Sequence, residues 1–214
     1  MTFDEYFNTA TSGTTPHEYQ SRLGPYCDGD GFGPSSLAIS APTGAGKTAA
    51  VIVTWLFNRC FSRQMNCKSK WPLRLVYCLP MRSLVSQTCV AADTWLRNLK
   101  KAELIHNDVA AYTLMGGNVQ EGWELQPEAP AILIGTQDQL LSRALNRGYA
   151  MSRRRWPMHF GLLNNDCLWV LDEVQLMGPG LATALQLEAF RSDAIAGKKY
   201  FGTERKGVYI IFVA

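Results

Sequence analysis

Short apolar runs alternate with longer stretches of helical periodicity along most of this 214-residue chain. Residues 37–40, 73–79, 110–115, 131–134 and 167–171 are apolar runs of strand length, the second stopped at Pro80. Between them, Val51, Trp55, Leu56 and Phe57 give 48–63 a helical apolar face. Leu84, Thr88, Ala91 and Trp95 do the same for 83–99, and 138–145 and 181–191 read as further helices. Strands alternating with helices of this length predict an α/β fold in three layers, with a mostly parallel sheet covered on both faces. The last run, 207–214, reads as a strand. So apolar a strand would invite aggregation at an open edge, so it is expected to pair into the sheet. Residues 1–35 are rich in Gly, Thr, Ser and Pro and show little periodicity.

Composition narrows the class without naming a partner. With 47% hydrophobic and 18% charged residues the chain is a globular protein, not a disordered, collagenous or coiled-coil one. The formal charge of +3 is too small to specify what it binds. Cys27, Cys60, Cys67, Cys78, Cys89 and Cys167 are scattered and form no CxxC pair, which predicts neither structural zinc nor a disulfide framework. The first residues after Met1 are Thr2, Phe3, Asp4 and Glu5, with no basic leader, and no stretch reaches membrane-spanning length. A cytoplasmic protein without a membrane partner is expected.

Residues 41–48 read Ala-Pro-Thr-Gly-Ala-Gly-Lys-Thr, after a strand and at the start of a helix. That is where a phosphate-binding loop belongs. Glycines let successive amides turn inward as an anion nest, and the helix adds its positive end. Thr43, Gly44, Ala45, Gly46, Lys47 and Thr48 are therefore candidate nucleotide-binding residues, with Lys47 on the terminal phosphates and Thr48 on magnesium. The second signal is the apolar run Leu168 to Leu171 followed by Asp172 and Glu173. It puts two carboxylates at the carboxyl edge of the sheet, where ligands bind in such folds. Asp172 would hold magnesium through water and Glu173 would polarise an attacking water. ATP with Mg2+ is the expected cofactor.

These motifs resemble the first RecA-like domain of superfamily 2 helicases, with its P-loop sheet. Residues 172–177, Asp-Glu-Val-Gln-Leu-Met, are similar to a narrower version of motif II, that of the CRISPR-associated type I helicase–nuclease. The resemblance spans about 15–191. It makes Tyr19-Gln20 similar to an adenine-reading glutamine motif, with Gln20 on the base. Residues 79–87 resemble motif Ia, with Arg82 and Ser83 on the nucleic-acid backbone. Gly116 falls in the next strand-facing loop, and Thr136, within 134–141, is the implied phosphate contact. The resemblance divides the chain into an N-terminal segment, 1–35, and an ATP-binding domain, 36–214, that stops before motif III. Lys47, Asp172, Glu173 and Gln175 are the implied catalytic residues. Gln175 stands where many relatives have histidine, and it can donate and accept hydrogen bonds but cannot carry the proton.

The family's second RecA-like domain, with its arginine finger, and its nuclease domain have no counterpart in the sequence. The implied partners are single-stranded DNA, a second RecA-like domain and an RNA-guided surveillance complex. Weak ATP hydrolysis is expected of the chain alone. A non-catalytic remnant that binds nucleotide or nucleic acid is the alternative. A guanine-specific GTPase is disfavoured because no Asn-Lys-x-Asp string occurs. One further stretch points to nucleic acid. Between Gln139 and Asn165 no acid interrupts Arg143, Arg147, Arg153, Arg154 and Arg155, and Tyr149, Trp156 and Phe160 are interspersed. Basic groups attract phosphates and aromatics stack on bases, so Arg153 and Arg154 join the candidate contacts. His17, His106 and His159 are isolated and are expected to be surface or packing residues.

Overall fold

A computed structural model describes residues 1–24, 36–61, 71–149, 151–197 and 208–214. The strands are β1 (Leu37–Ile39), β2 (Arg74–Leu79), β3 (Ala110–Met115), β4 (Asn118–Val119), β5 (Ala131–Thr136), β6 (Cys167–Leu171) and β7 (Val208–Val213). They form one sheet in the order β1-β7-β6-β2-β5-β3-β4. Every pairing is parallel except that of β3 with β4. The helices are α1 (Phe3–Ala10), α2 (Glu18–Leu23), α3 (Lys47–Trp55), α4 (Arg82–Lys101), α5 (Gln137–Ala144), α6 (Trp156–Leu163) and α7 (Pro179–Gly197).

The two-residue period of the strands sorts the core into two layers. Leu75, Tyr77, Leu79, Ile132, Ile134, Leu168 and Val170 face one side, where they meet α1, α3 and α4. Val76, Cys78, Leu133, Trp169 and Leu171 face the other, where α5, α6 and α7 supply Leu140, Leu163 and Leu187. Because both faces are covered, β2, β5 and β6 are buried at every position. That is why they read as unbroken apolar runs rather than alternating ones.

The expected strands and helices are all present, with ends shifted by a few residues. β7 lies between β1 and β6, as its composition demanded. The helix expected over 48–63 begins at Lys47, and its last turn, Leu56–Phe61, widens to a π-helical one. Arg63, Cys27 and Cys67 lie outside the described residues.

Three helices were not predicted. α1 is closed at its start by Thr2, whose hydroxyl accepts from the Glu5 amide while Glu5 accepts from the Thr2 amide. Its buried face, Phe3, Tyr6, Phe7 and Ala10, packs against α4 and the π-helical turn after α3, with the Phe3 and Phe57 rings edge to face at 5.4 Å. The T-x-x-E spacing and the apolar positions were both in the sequence, masked by the polar residues that follow. α2 is short and sits beneath the phosphate loop. α6 is apolar nearly all round, so no amphipathic period marks it.

Candidate active site

The loop between β1 and α3 owes its shape to two glycines. Gly44 and Gly46 have φ of 81° and 75°, the left-handed region that lets amides turn toward one centre. A side chain at Gly46 would also come within 2.8 Å of Gln20 Nε2. Lys47 is 9% exposed, and its ammonium donates to the Ala41 carbonyl at 2.8 Å and the Ala214 carbonyl at 3.0 Å. The Ala41 amide also donates to Ala214 O, at 3.4 Å, so the end of β7 is tied to the phosphate loop. Thr48 follows in the first turn of α3.

Gln20 lies against the phosphate loop. It is 2% exposed, and its Nε2 donates to the Gly46 carbonyl at 2.9 Å, with the Ala45 carbonyl at 3.4 Å. Its Oε1 accepts from the His17 amide. Tyr19 adds a hydroxyl donor to Ala45 O at 2.6 Å. Gln20 thus braces the phosphate loop, its amide donating to loop carbonyls.

The acid pair stands at the end of β6. Asp172 is 5% exposed; its Oδ2 accepts from the Tyr77 hydroxyl at 2.7 Å and its Oδ1 from the Glu173 amide at 2.9 Å. Burial raises the Asp172 carboxyl above the usual range, against the Tyr77 and Glu173 hydrogen bonds, which favour the anion. Glu173 takes a left-handed conformation, φ 53°, and its carboxylate accepts from Gln175 Nε2. Gln175 thus holds Glu173 directly. Tyr77 was not among the sequence candidates. A tyrosine amid the apolar residues of a buried strand was nevertheless a signal, since its hydroxyl needs a partner.

The donors at this end fit a magnesium nucleotide. The Thr48 hydroxyl, at the start of α3, and the Asp172 carboxylate, at the end of β6, offer the hard oxygens that a magnesium ion takes. The adjoining glycine nest and buried ammonium supply an anion site.

Beyond β2 the sheet edge opens into a groove of about 750 Å3, whose lining includes Arg82, Gly116, Thr136, Gln137, Tyr149 and Thr183. The Arg82 guanidinium donates to the Gly116 carbonyl, joining the start of α4 to the β3–β4 turn. Ser83 is exposed beside Arg82. The structure thus brings Arg82, Gly116 and Thr136 together, but Arg153 and Arg154 are not part of that lining. Both lie exposed on a separate 3-10 turn, Arg153–Arg155, with Arg153 over the Trp156 ring. The other arginines of the acid-free stretch are partly structural. Arg143 is buried on Gln139, and Arg155 forms ion pairs with Glu121 and Glu124. The acids missing from 139–165 come from an earlier segment of the chain.

Among the described residues no helix is long and apolar enough to cross a membrane. No curated relative matches the chain. Among solved structures, the helicase MrfA in its DNA-bound form is 18% identical, with a TM-score of 0.60 over 99% of this chain and 26% of MrfA. Dbp5 of S. cerevisiae, bound to RNA and ADP BeF3, is 15% identical, with a TM-score of 0.58 over 99% of this chain and 46% of Dbp5. Mss116p bound to ssRNA and AMP-PNP is 15% identical, with a TM-score of 0.56 over 98% of this chain and 38% of that one. At such identities the likeness is one of fold, and this chain spans less than half of each of these proteins. The family model of DEAD/DEAH box helicases matches residues 19–193, from the loop brace through the phosphate loop and the acid pair into α7. The chain belongs to the DEAD/DEAH box helicase family, of which it carries the helicase-type ATP-binding domain.

Proposed function

We propose that this chain is the ATP-binding half of an ATP-dependent translocase that grips single-stranded DNA, serving the helicase–nuclease of type I CRISPR interference. The observation that carries the ATP reading is the convergence of Lys47, Thr48, Asp172 and Glu173 from β1, β6 and α3 on one sheet edge. Lys47 moves from the Ala41 and Ala214 carbonyls to the terminal phosphates when nucleotide enters. Gly44, Ala45 and Gly46, with Thr43 beside them, turn loop amides toward those phosphates. Thr48 and Asp172 hold magnesium, which when bound neutralises charge on the phosphates. Glu173, kept in place by Gln175, takes a proton from the attacking water. A second RecA-like domain supplies the opposing wall and its arginine. Such an arginine is worth about 10³-fold or more in rate, so the chain alone binds ATP and turns it over slowly. Residues 36–214 form the ATP-binding domain, with 1–35 bracing it through Gln20.

DNA as the substrate, and the surveillance complex as the recruiting partner, rest on the string 172–177 and its resemblance to the CRISPR branch. Of the neighbours in fold, MrfA is bound to DNA and Dbp5 and Mss116p to RNA, so the choice of DNA rests on that string alone. Binding of a fluorescent ATP analogue tests the core of this reading. Lys47→Ala should weaken Mg2+-dependent binding at least tenfold, and equal binding by both proteins would refute it. Retention of the chain on an RNA-guided complex that displaces a DNA strand tests the finer part. Equal retention on a complex without a displaced strand would count against it.

A further inference from the structure

Tyr77 lies at the middle of the sheet, opposite Ile134 of β5 and Val170 of β6, and its ring is fully buried. Both neighbouring strands and the packed core fix its rotamer, so its hydroxyl is a rigid fixture at the floor of the site. A phenol has one proton to donate and lone pairs to accept with. The proton goes to Asp172 Oδ2 at 2.7 Å.

We propose that Tyr77 is a positioning residue for the metal end of the site, its buried hydroxyl holding the Asp172 carboxylate in one orientation. With Oδ2 fixed by Tyr77 and Oδ1 by the Glu173 amide, Asp172 is held as a single rotamer and retains a lone pair on each oxygen. The magnesium carboxylate is thereby set before nucleotide arrives. No water or mobile side chain need be ordered at that moment. This inference rests on the magnesium–nucleotide reading of the site.

Titrating the full chain with a fluorescent ADP analogue, once in excess EDTA and once across a range of Mg2+, tests it. Tyr77→Phe should leave the EDTA affinity unchanged and raise the Mg2+ concentration for half-maximal tightening by about 10- to 100-fold, the usual cost of losing a partner that orients metal ligands. An unchanged Mg2+ midpoint would overturn the proposal, as would an equal loss with and without Mg2+, which is what general loosening of the core would give. A second measurement needs no variant. In protein labelled with 13C at tyrosine Cζ, a buried resonance should move when Mg2+ is added to the nucleotide-bound chain. If none responds to Mg2+, Tyr77 is not coupled to the metal. Absence of nucleotide binding by the unaltered chain would instead overturn the proposed function on which this rests.

Discussion

Lys47 at a helix start and Asp172 at a strand end lie in elements that the local sequence announces. Gln20 makes contacts that no local pattern announces. Its two amide hydrogens find the Ala45 and Gly46 carbonyls from beneath, and Gly46 has no side chain to keep it away. Such a brace acts on every nucleotide through the loop, whereas a base reader acts on adenine alone. Gln20→Ala should therefore weaken ATP and GTP binding by a similar factor, on the order of 5- to 10-fold for the loss of about 1 to 1.5 kcal/mol of hydrogen bonding. Parallel titrations with the two nucleotides check this; a loss confined to ATP would return Gln20 to the base. Tyr77 was out of reach of motif reading, since its role appears only once β2 and β6 are neighbours.

Among the elements, those with a clean period or a strong apolar run were legible, and α6 was not. Its place is set by packing that no local pattern announces. His159 on α6 is 2% exposed, meets Trp123 edge to face at 4.8 Å, and has no hydrogen-bond partner on either ring nitrogen among the described residues. Its Nε2 is 3.7 Å from Glu124, but that carboxylate is already paired with Arg155, so it does little to stabilise an imidazolium. Burial first, then the Arg143 and Arg155 charges, lower the His159 pKa to about 4, with Glu121 opposing. The unfolded chain takes up this proton near pH 6.5 and the folded one near 4. The contribution of His159 is thus present above pH 6.5 and lost as pH falls toward 4. Urea midpoints should drop across that window, and His159→Phe should flatten the drop while α6 stays docked on Trp123. An acid dependence identical in the variant would mean that other groups carry it. In the same cluster Arg155 is a clamp on Glu121 and Glu124, not a free basic group.

At the scale of the whole molecule, one edge of a parallel sheet carries both halves of the site, and strand order decides which half a residue serves. The nucleotide residues follow β1 and β6, which flank β7; Arg82, Thr136 and Gly116 follow β2, β5 and β3. β2 is the border, with Tyr77 facing the acid pair and Arg82 opening the groove just beyond its end. That adjacency could not be read along the chain, because the strands that meet are far apart in sequence. It also separates the two kinds of binding. Arg82 is exposed, touches the Gly116 carbonyl, and makes none of the contacts that hold Lys47 or Asp172. Arg82→Ala should weaken binding of single-stranded DNA and reduce the slope of log affinity against log salt by about one, as the loss of one phosphate contact requires. Affinity for the Mg2+ nucleotide should not change, because no hydrogen bond links Arg82 to that end. Arg154→Ala, outside the groove lining, should move the DNA slope less. A salt series with both variants checks the order. If Arg154 proved the larger loss, the path of the strand would run over the basic turn rather than through the groove at Arg82 and Thr136.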